Sequence, residues 1–135
     1  MFNPQYYFRP KTFNPFIFKV DSTIVGSSSS TQFTIPTTGV GYTYNVKVDG
    51  VMVATNLIGN YTIKGLSGVH TIEIGGKGFP RIFFNYTGDR SKIIELIQFG
   101  DYGKSSNGAW NNAHGGDFYG CNNLNAPNLV DTQHS

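Results

Sequence analysis

The chain of 135 residues holds a single cysteine, Cys121. A lone thiol excludes an internal disulfide and a zinc site built on cysteines. Charge is also scarce. Asp, Glu, Lys and Arg make up 13% of the residues, about half the usual share. Ten basic residues against eight acidic ones leave a net charge of +2. The basic residues are scattered almost singly, without the stripe that a nucleic-acid partner selects, so none is expected. No apolar run approaches the length of a membrane-spanning helix, and no membrane partner is expected either. The leading residues MFNPQYYFRPKTFNPF carry no basic start, no continuous apolar stretch and no small-residue cleavage site. They are not read as a secretory signal.

What fills the space is the vocabulary of strands and turns. Aromatics reach 15%, glycine numbers 17, and Asn, Thr and Ser are plentiful; this mix disfavours a helical bundle or a coiled coil. The length suits one domain with one core. Strands are expected over Phe16–Val20, Thr31–Ile35, Tyr42–Val48, Val51–Thr55, Tyr61–Ile63, Val69–Ile74, Arg81–Phe84 and Ile93–Phe99, from alternating or short apolar runs between turn signals. Tyr42, Tyr44, Val46 and Val48 share one face. Asp49-Gly50 between two valines is a strong hairpin signal. Gly26 to Ser30 reads as a flexible loop, and Gly88-Asp89-Arg90-Ser91 as a turn. Ser91 to Phe99 also fits a capped helix, but its isoleucines favour a strand. Seven or eight short strands at this spacing give an antiparallel β-sandwich.

Three regions follow. Residues 1–15 form an arm, with Phe-Asn-Pro at 2–4 and again at 13–15 and with Pro4, Pro10 and Pro15 favouring extended backbone. Its rings are expected to lie either on their own domain or on another subunit. Residues 16–99 form the sandwich. Residues 100–135, rich in Gly, Asn and Ser, are expected to be mostly irregular.

Chemistry-bearing residues are few. His70, His114 and His134 lack metal-ligand spacing. Glu73 and Glu95 fall in strands, where a solvated face is expected, and no paired-carboxylate catalysis is read from them. Cys121 is expected to fill an apolar gap. Asp89, Asp101 and Asp117 sit beside glycine in loops; Ca²⁺ is one reading and turn formation the favoured one. Asn60 and Asn85 open glycosylation sequons that are read as chance. No cofactor, no metal and no enzymatic activity are expected.

The segments FIFKVDSTIVGSSSSTQFTIP (16–36), YTYNVKVDG (42–50), GVHTIEI (68–74), FPRIFFN (79–85), IIELIQFGD (93–101) and FYGCNNL (118–124), in that order, resemble the PKD-like, immunoglobulin-like domain that precedes leucine-rich repeats in BspA-like bacterial surface proteins. Related modules occur in bacteriophage virion proteins. Such domains carry Trp-Gly-Asp-Gly after their central strand, whereas here only Asp49-Gly50 remains. FYGCNNLNAPNL (118–129) is similar to the first unit of a leucine-rich array. One such unit cannot bury its own face, so it is expected to cap the sandwich or pack on a partner.

The resemblance covers about 16–130 and leaves the arm outside it; it implies an all-β fold, an immunoglobulin/PKD-like antiparallel β-sandwich with a partial repeat-like cap, to which the residues themselves add the extended N-terminal arm. Taken with the lack of a secretory signal, the aromatic arm and the low charge, it points to the expectation of a non-enzymatic structural protein of a phage virion, a capsid decoration or fibre-base module made in the host cytoplasm. Its partners would be other virion proteins such as the major capsid protein, or copies of itself. Phe2, Tyr6, Tyr7, Phe8, Arg9 and Phe13 are the candidate partner-binding residues of the arm. The alternative is a bacterial cell-surface adhesin or carbohydrate-binding module, with a host glycan as partner and Tyr102, Trp110, Asn111, Asn112 and Tyr119 as candidate contacts. Those rings equally suit packing of the loop-rich end onto the sandwich.

Overall fold

The computed structural model describes residues 14–79, 81–103, 115–127 and 129. Seven strands form: β1 (Phe16–Asp21), β2 (Phe33–Ile35), β3 (Tyr44–Val48), β4 (Val51–Leu57), β5 (Tyr61–Ile63), β6 (Val69–Gly76) and β7 (Ile93–Gln98). The described residues contain no helix. A five-stranded antiparallel sheet runs in the order β4-β3-β6-β1-β7, and β2 and β5 pair in a second antiparallel sheet. The isoleucine-rich run after Ser91 is β7, not a helix, and it lies beside β1.

Alternation explains the layers. On β1, Phe16, Phe18 and Val20 are fully buried, while Ile17, Lys19 and Asp21 point to the outer face. On β3, Tyr44 and Val46 face the core together with Tyr42 just before the strand; on β6, Ile72 and Ile74 do. Phe33, Ile35 and Ile63 close the core from the second sheet. The rings touch in sequence: Phe84 to Phe33 at 6.3 Å, Phe33 to Phe18 at 5.9 Å, Phe18 to Phe16 at 5.0 Å and Phe16 to Tyr102 at 4.7 Å. Each fully buried ring contributes up to about 3 kcal/mol in transfer free energy. Asp49 and Gly50 both have positive φ, 50° and 85°, and join β3 to β4 as the sequence signal requires.

Two expectations are corrected. Arg81–Phe84 is not a strand. Ile82 and Phe84 are fully buried, but the segment makes only an isolated bridge, Ile82 to Thr37. Two of its amides are taken by the C-terminal region, Ile82 N–H by the Tyr102 hydroxyl at 3.0 Å and Phe84 N–H by the Asp117 carbonyl at 3.0 Å, and Phe83 N–H donates to the Pro36 carbonyl at 3.0 Å. An apolar run whose donors are claimed elsewhere cannot join a ladder.

The serine loop after Gly26 is pinned, not free. Lys92, fully buried, donates from Nζ to the carbonyls of Ser29 at 2.6 Å, Gln32 at 2.9 Å and Ser28 at 3.3 Å. Asp89, also fully buried, accepts from Ser28 N–H at 2.9 Å, Ser28 Oγ at 2.6 Å and Thr34 N–H at 2.8 Å. The Ser28 hydroxyl stands between the two charges, 3.2 Å from Lys92 Nζ. Gly26 is required here, since a Cβ would lie 2.5 Å from the Asp89 carboxylate.

Burial by itself would raise the Asp89 carboxyl. The hydrogen bonds from Ser28 and Thr34 and the nearby Lys92 charge outweigh it and hold the group below its ordinary value of 3.8. A depressed native value stabilises the fold above 3.8, and this stabilisation is lost as pH falls through the lower native value. Asp89→Asn is therefore expected to be destabilised by a constant amount between about pH 5 and 7. The gap to the wild type narrows below pH 3.8, as read by urea denaturation across pH. Lys92→Met leaves three carbonyls without their donor and is expected to cost on the order of 3 kcal/mol in the same assay.

Candidate interaction surface

The polar residues singled out in the sequence are mostly structural anchors. Asp89, Asp101 and Asp117 are 0%, 8% and 5% exposed and serve three separate places. Asp89 holds the serine loop. Asp117 lies 2.9 Å from Arg81 Nε and accepts a short hydrogen bond from the Tyr102 hydroxyl. Burial first, and then the Asp117 charge, pushes the Tyr102 phenol well above its ordinary value. Asp101 fastens the root of the arm. Among the described residues no group of three His, Cys, Asp or Glu is placed to hold a metal ion.

His70 is held in one tautomer. Its Nε2 accepts from Ser67 N–H at 2.9 Å, so its Nδ1 carries the proton given to Asp49 at 2.7 Å. The Thr71 N–H, and then this ring, hold the Asp49 carboxyl below the ordinary carboxylate range. Glu73 sits on the outer face, 3.9 Å from Lys47 on the neighbouring strand, and Glu95 pairs in register with Lys19. Cys121 is half-buried, and burial pushes its thiol up to about 12. It is neutral and weakly nucleophilic at neutral pH.

The two edges of the large sheet differ. Beside β7, Asn125 accepts from Leu96 N–H at 2.9 Å and donates to the Ile94 carbonyl at 3.1 Å. Asn125 thus closes this edge, and Phe118, Cys121, Leu124 and Leu129 pack against the core. Among the described residues, the opposite edge, β4, pairs only with β3. Its sequence VMVATNL carries no charge, and Val51, Met52 and Val53 are 65%, 46% and 46% exposed. Charge, proline or a covering segment usually protects such an edge. Here the register shifts of the β3–β4 pair are the only such device among the described residues.

From β4 a groove of about 250 Å³ crosses the outer face, lined by Met52, Lys47, Asn45, Glu73, Gly75 and Pro15. Gly75 is its floor; a Cβ there would meet nothing within 4 Å.

Pro15 belongs to the root of the arm. Its carbonyl accepts from Gln98 Nε2 at 3.0 Å. Asn14 N–H donates to the Asp101 carboxylate at 2.8 Å, and Asp101 N–H donates to the Asn14 carbonyl at 2.9 Å. Gly100, with φ of 58°, lets the strands approach, since a Cβ would fall 2.2 Å from the Pro15 carbonyl oxygen.

A third feature is aromatic. Tyr86 and Tyr119 are 51% and 62% exposed, with ring centroids 5.1 Å apart, and the Arg90 guanidinium lies 4.4 Å from the Tyr86 ring centre. Asn85 and Tyr86 both have positive φ, 45° and 63°, an uncommon conformation for a bulky residue. Tyr86 N–H donates to the Tyr119 carbonyl at 2.7 Å, which fastens the two loops together.

Of the candidate residues from the sequence, Phe2, Tyr6, Tyr7, Phe8, Arg9 and Phe13 of the arm, and Trp110, Asn111 and Asn112, lie outside the described residues. His114 and His134 do too. Tyr119 is exposed. Tyr102 is 3% exposed and packs against Phe16, Phe79 and Phe118, so its ring has no free face for a sugar. Sequence reasoning missed Tyr86 and Arg90, because Asn85-Tyr86-Thr87 reads only as a sequon. It also missed the openness of β4, for which the unbroken apolar triplet Val51-Met52-Val53 beside a tight turn was the available signal. No protein-family model, curated protein or solved structure matches the chain.

Gly100→Ala is expected to prise Asn14-Pro15 from residues 100 and 101 and to speed hydrogen exchange of the Asp101 amide about tenfold or more. Gly75→Ala, which meets open space, is expected to leave that amide unchanged. NMR-detected exchange reads both.

Proposed function

We propose that the protein is a structural module of a bacteriophage particle, a decoration or fibre-base protein that holds neighbouring subunits through its arm and exposed edge. The observation that carries this reading is β4: a neutral apolar strand at an open sheet edge, with Val51, Met52 and Val53 exposed. A contiguous apolar edge of this kind is a template for another chain. The bonding of Asn14-Pro15 to the side chains of Asp101 and Gln98 adds support, because it gives the arm a fixed point of departure. The described carboxylates Asp89, Asp101 and Asp117, together with His70, are spent on holding backbone and side chains, which favours a non-enzymatic role. An immunoglobulin/PKD-like identity, with 118–129 as a repeat-like cap, fits the two antiparallel sheets, the Asp49-Gly50 hairpin and the packing of that segment on the β7 edge.

The test is the composition of purified particles. The protein is expected there in a fixed ratio to the shell protein, and a chain lacking residues 1–15 is expected to bind particles far more weakly. Particles without the protein, or equal binding of the shortened chain, overturn the reading.

The Tyr86–Tyr119 pair favours a second reading, a carbohydrate-binding surface of an adhesin. Exposed aromatic faces beside a cation and neighbouring Asn side chains suit a sugar ring. On a glycan array this reading expects saturable binding that Tyr119→Ala removes while the fold is kept. A wild-type protein that binds no glycan ends it.

A further inference from the structure

The geometry points to the outer-face groove between Pro15 and Met52 as the seat of the N-terminal arm of a second copy of this chain. The inference rests on the proposed role only in taking the arm as a binding element, and it names the partner as the protein itself.

Three features of the body lead there. The first is how the arm departs. Ile17 stands opposite Gln98 in the β1–β7 ladder, and the same register continues to Asn14 opposite Asp101, where both backbone groups of Asn14 are bonded. Proline at 15 favours extended backbone at Asn14. Residues 14 and 15 therefore continue the line of β1 past the end of the sheet. To run along its own groove toward Met52, the chain would have to turn across the strands directly at the Asn14 clamp. An extended departure instead carries Tyr7 about 23 Å from Asn14.

The second is the groove itself. Gly75 removes a side chain from the outer face in register with Asn45 on β3, and the site above it is open. From the β1 line to β4 the distance is three strand spacings, about 14 Å. Residues 5–9, Gln-Tyr-Tyr-Phe-Arg, are the stretch of the arm between Pro4 and Pro10. Extended, these five residues span about 17 Å, enough to cross the groove from the β1 line to Met52 on β4. Alternate side chains of such an extended stretch would set Tyr6 and Phe8 on one side and Tyr7 on the other.

The third is chemical fit. The groove and edge offer Met52, Val51 and Val53 to the rings, and a sulfur suited to aromatic contact. Glu73, partly exposed at the groove wall, is a partner for Arg9. Because arm and groove are different surfaces, the contact is head-to-tail and builds a ring or a row, not a closed pair.

The test uses the full-length Cys121→Ala chain as Tyr7→Cys/Met52→Cys with a short bismaleimide. The Cys121→Ala chain without added cysteines is the control. The expected product is a ladder of linked chains on a denaturing gel, and adding Gly75→Gln, which fills the groove from a position free of contacts, is expected to remove it. A product of monomer mass with both thiols consumed shows the arm on its own body and overturns the inference. Two thiols left unlinked overturn it as well. Phe8→Cys/Val51→Cys is read the same way, so a single ill-placed pair does not decide the result. If particles carry the protein and require residues 1–15 while no copy-to-copy ladder forms, this inference falls and the proposed function stands; particles without the protein overturn the function alone.

Discussion

One lysine sets the terms for the fold. Lys92 brings an ammonium group into a fully buried site and spends it on the carbonyls of a serine-rich loop. Asp89, three residues earlier, takes the amides of Ser28 and of Thr34 on β2. The pair thus joins the lead-in to β7 in the large sheet with the loop and first strand of the small one. A buried charge is tolerated only when its donors or acceptors are nearly all engaged, so the loop must take one shape. With the loop fixed, Phe33 and Ile35 stand opposite Phe18, and the core closes around them.

Much of this architecture is legible in the sequence because local rules and burial agree. Alternation in β3 and β6 predicts which residues face inward, and Asp49-Gly50 predicts its turn, since each depends on neighbours in the chain. Arg81–Phe84 misleads for the opposite reason. Its apolar pattern is real and its burial is real, but its amides go to Tyr102, Pro36 and Asp117, partners that no local pattern reveals. Lys92 and Asp89 are hidden in the same way. In sequence they are an ordinary charged turn, and their meaning appears only when a loop about sixty residues earlier folds over them. Tyr102 reads as a loop aromatic, yet Asp117 and the Phe16 ring draw it inside.

The surface carries two kinds of exposed apolar material, and they differ in how they are held. Tyr86 and Tyr119 are presented by loops stitched together by a backbone hydrogen bond and by residues in left-handed conformation. Val51, Met52 and Val53 are presented by a strand, so their backbone is as available as their side chains. The first suits a small planar or ring-shaped ligand; the second suits another polypeptide. The proposed structural role draws on the second feature, and the carbohydrate reading draws on the first.

The unequal treatment of the two sheet edges gives the body a direction. On the β7 side the chain finishes its own sheet with Asn125; on the β4 side no described residue pairs with the outer edge. Under the proposed structural role, growth of the sheet would be open at one flank and stopped at the other. A neighbour that adds one strand there would consume the vacancy, which would limit how many partners a single body recruits along its sheet and fix which way they face.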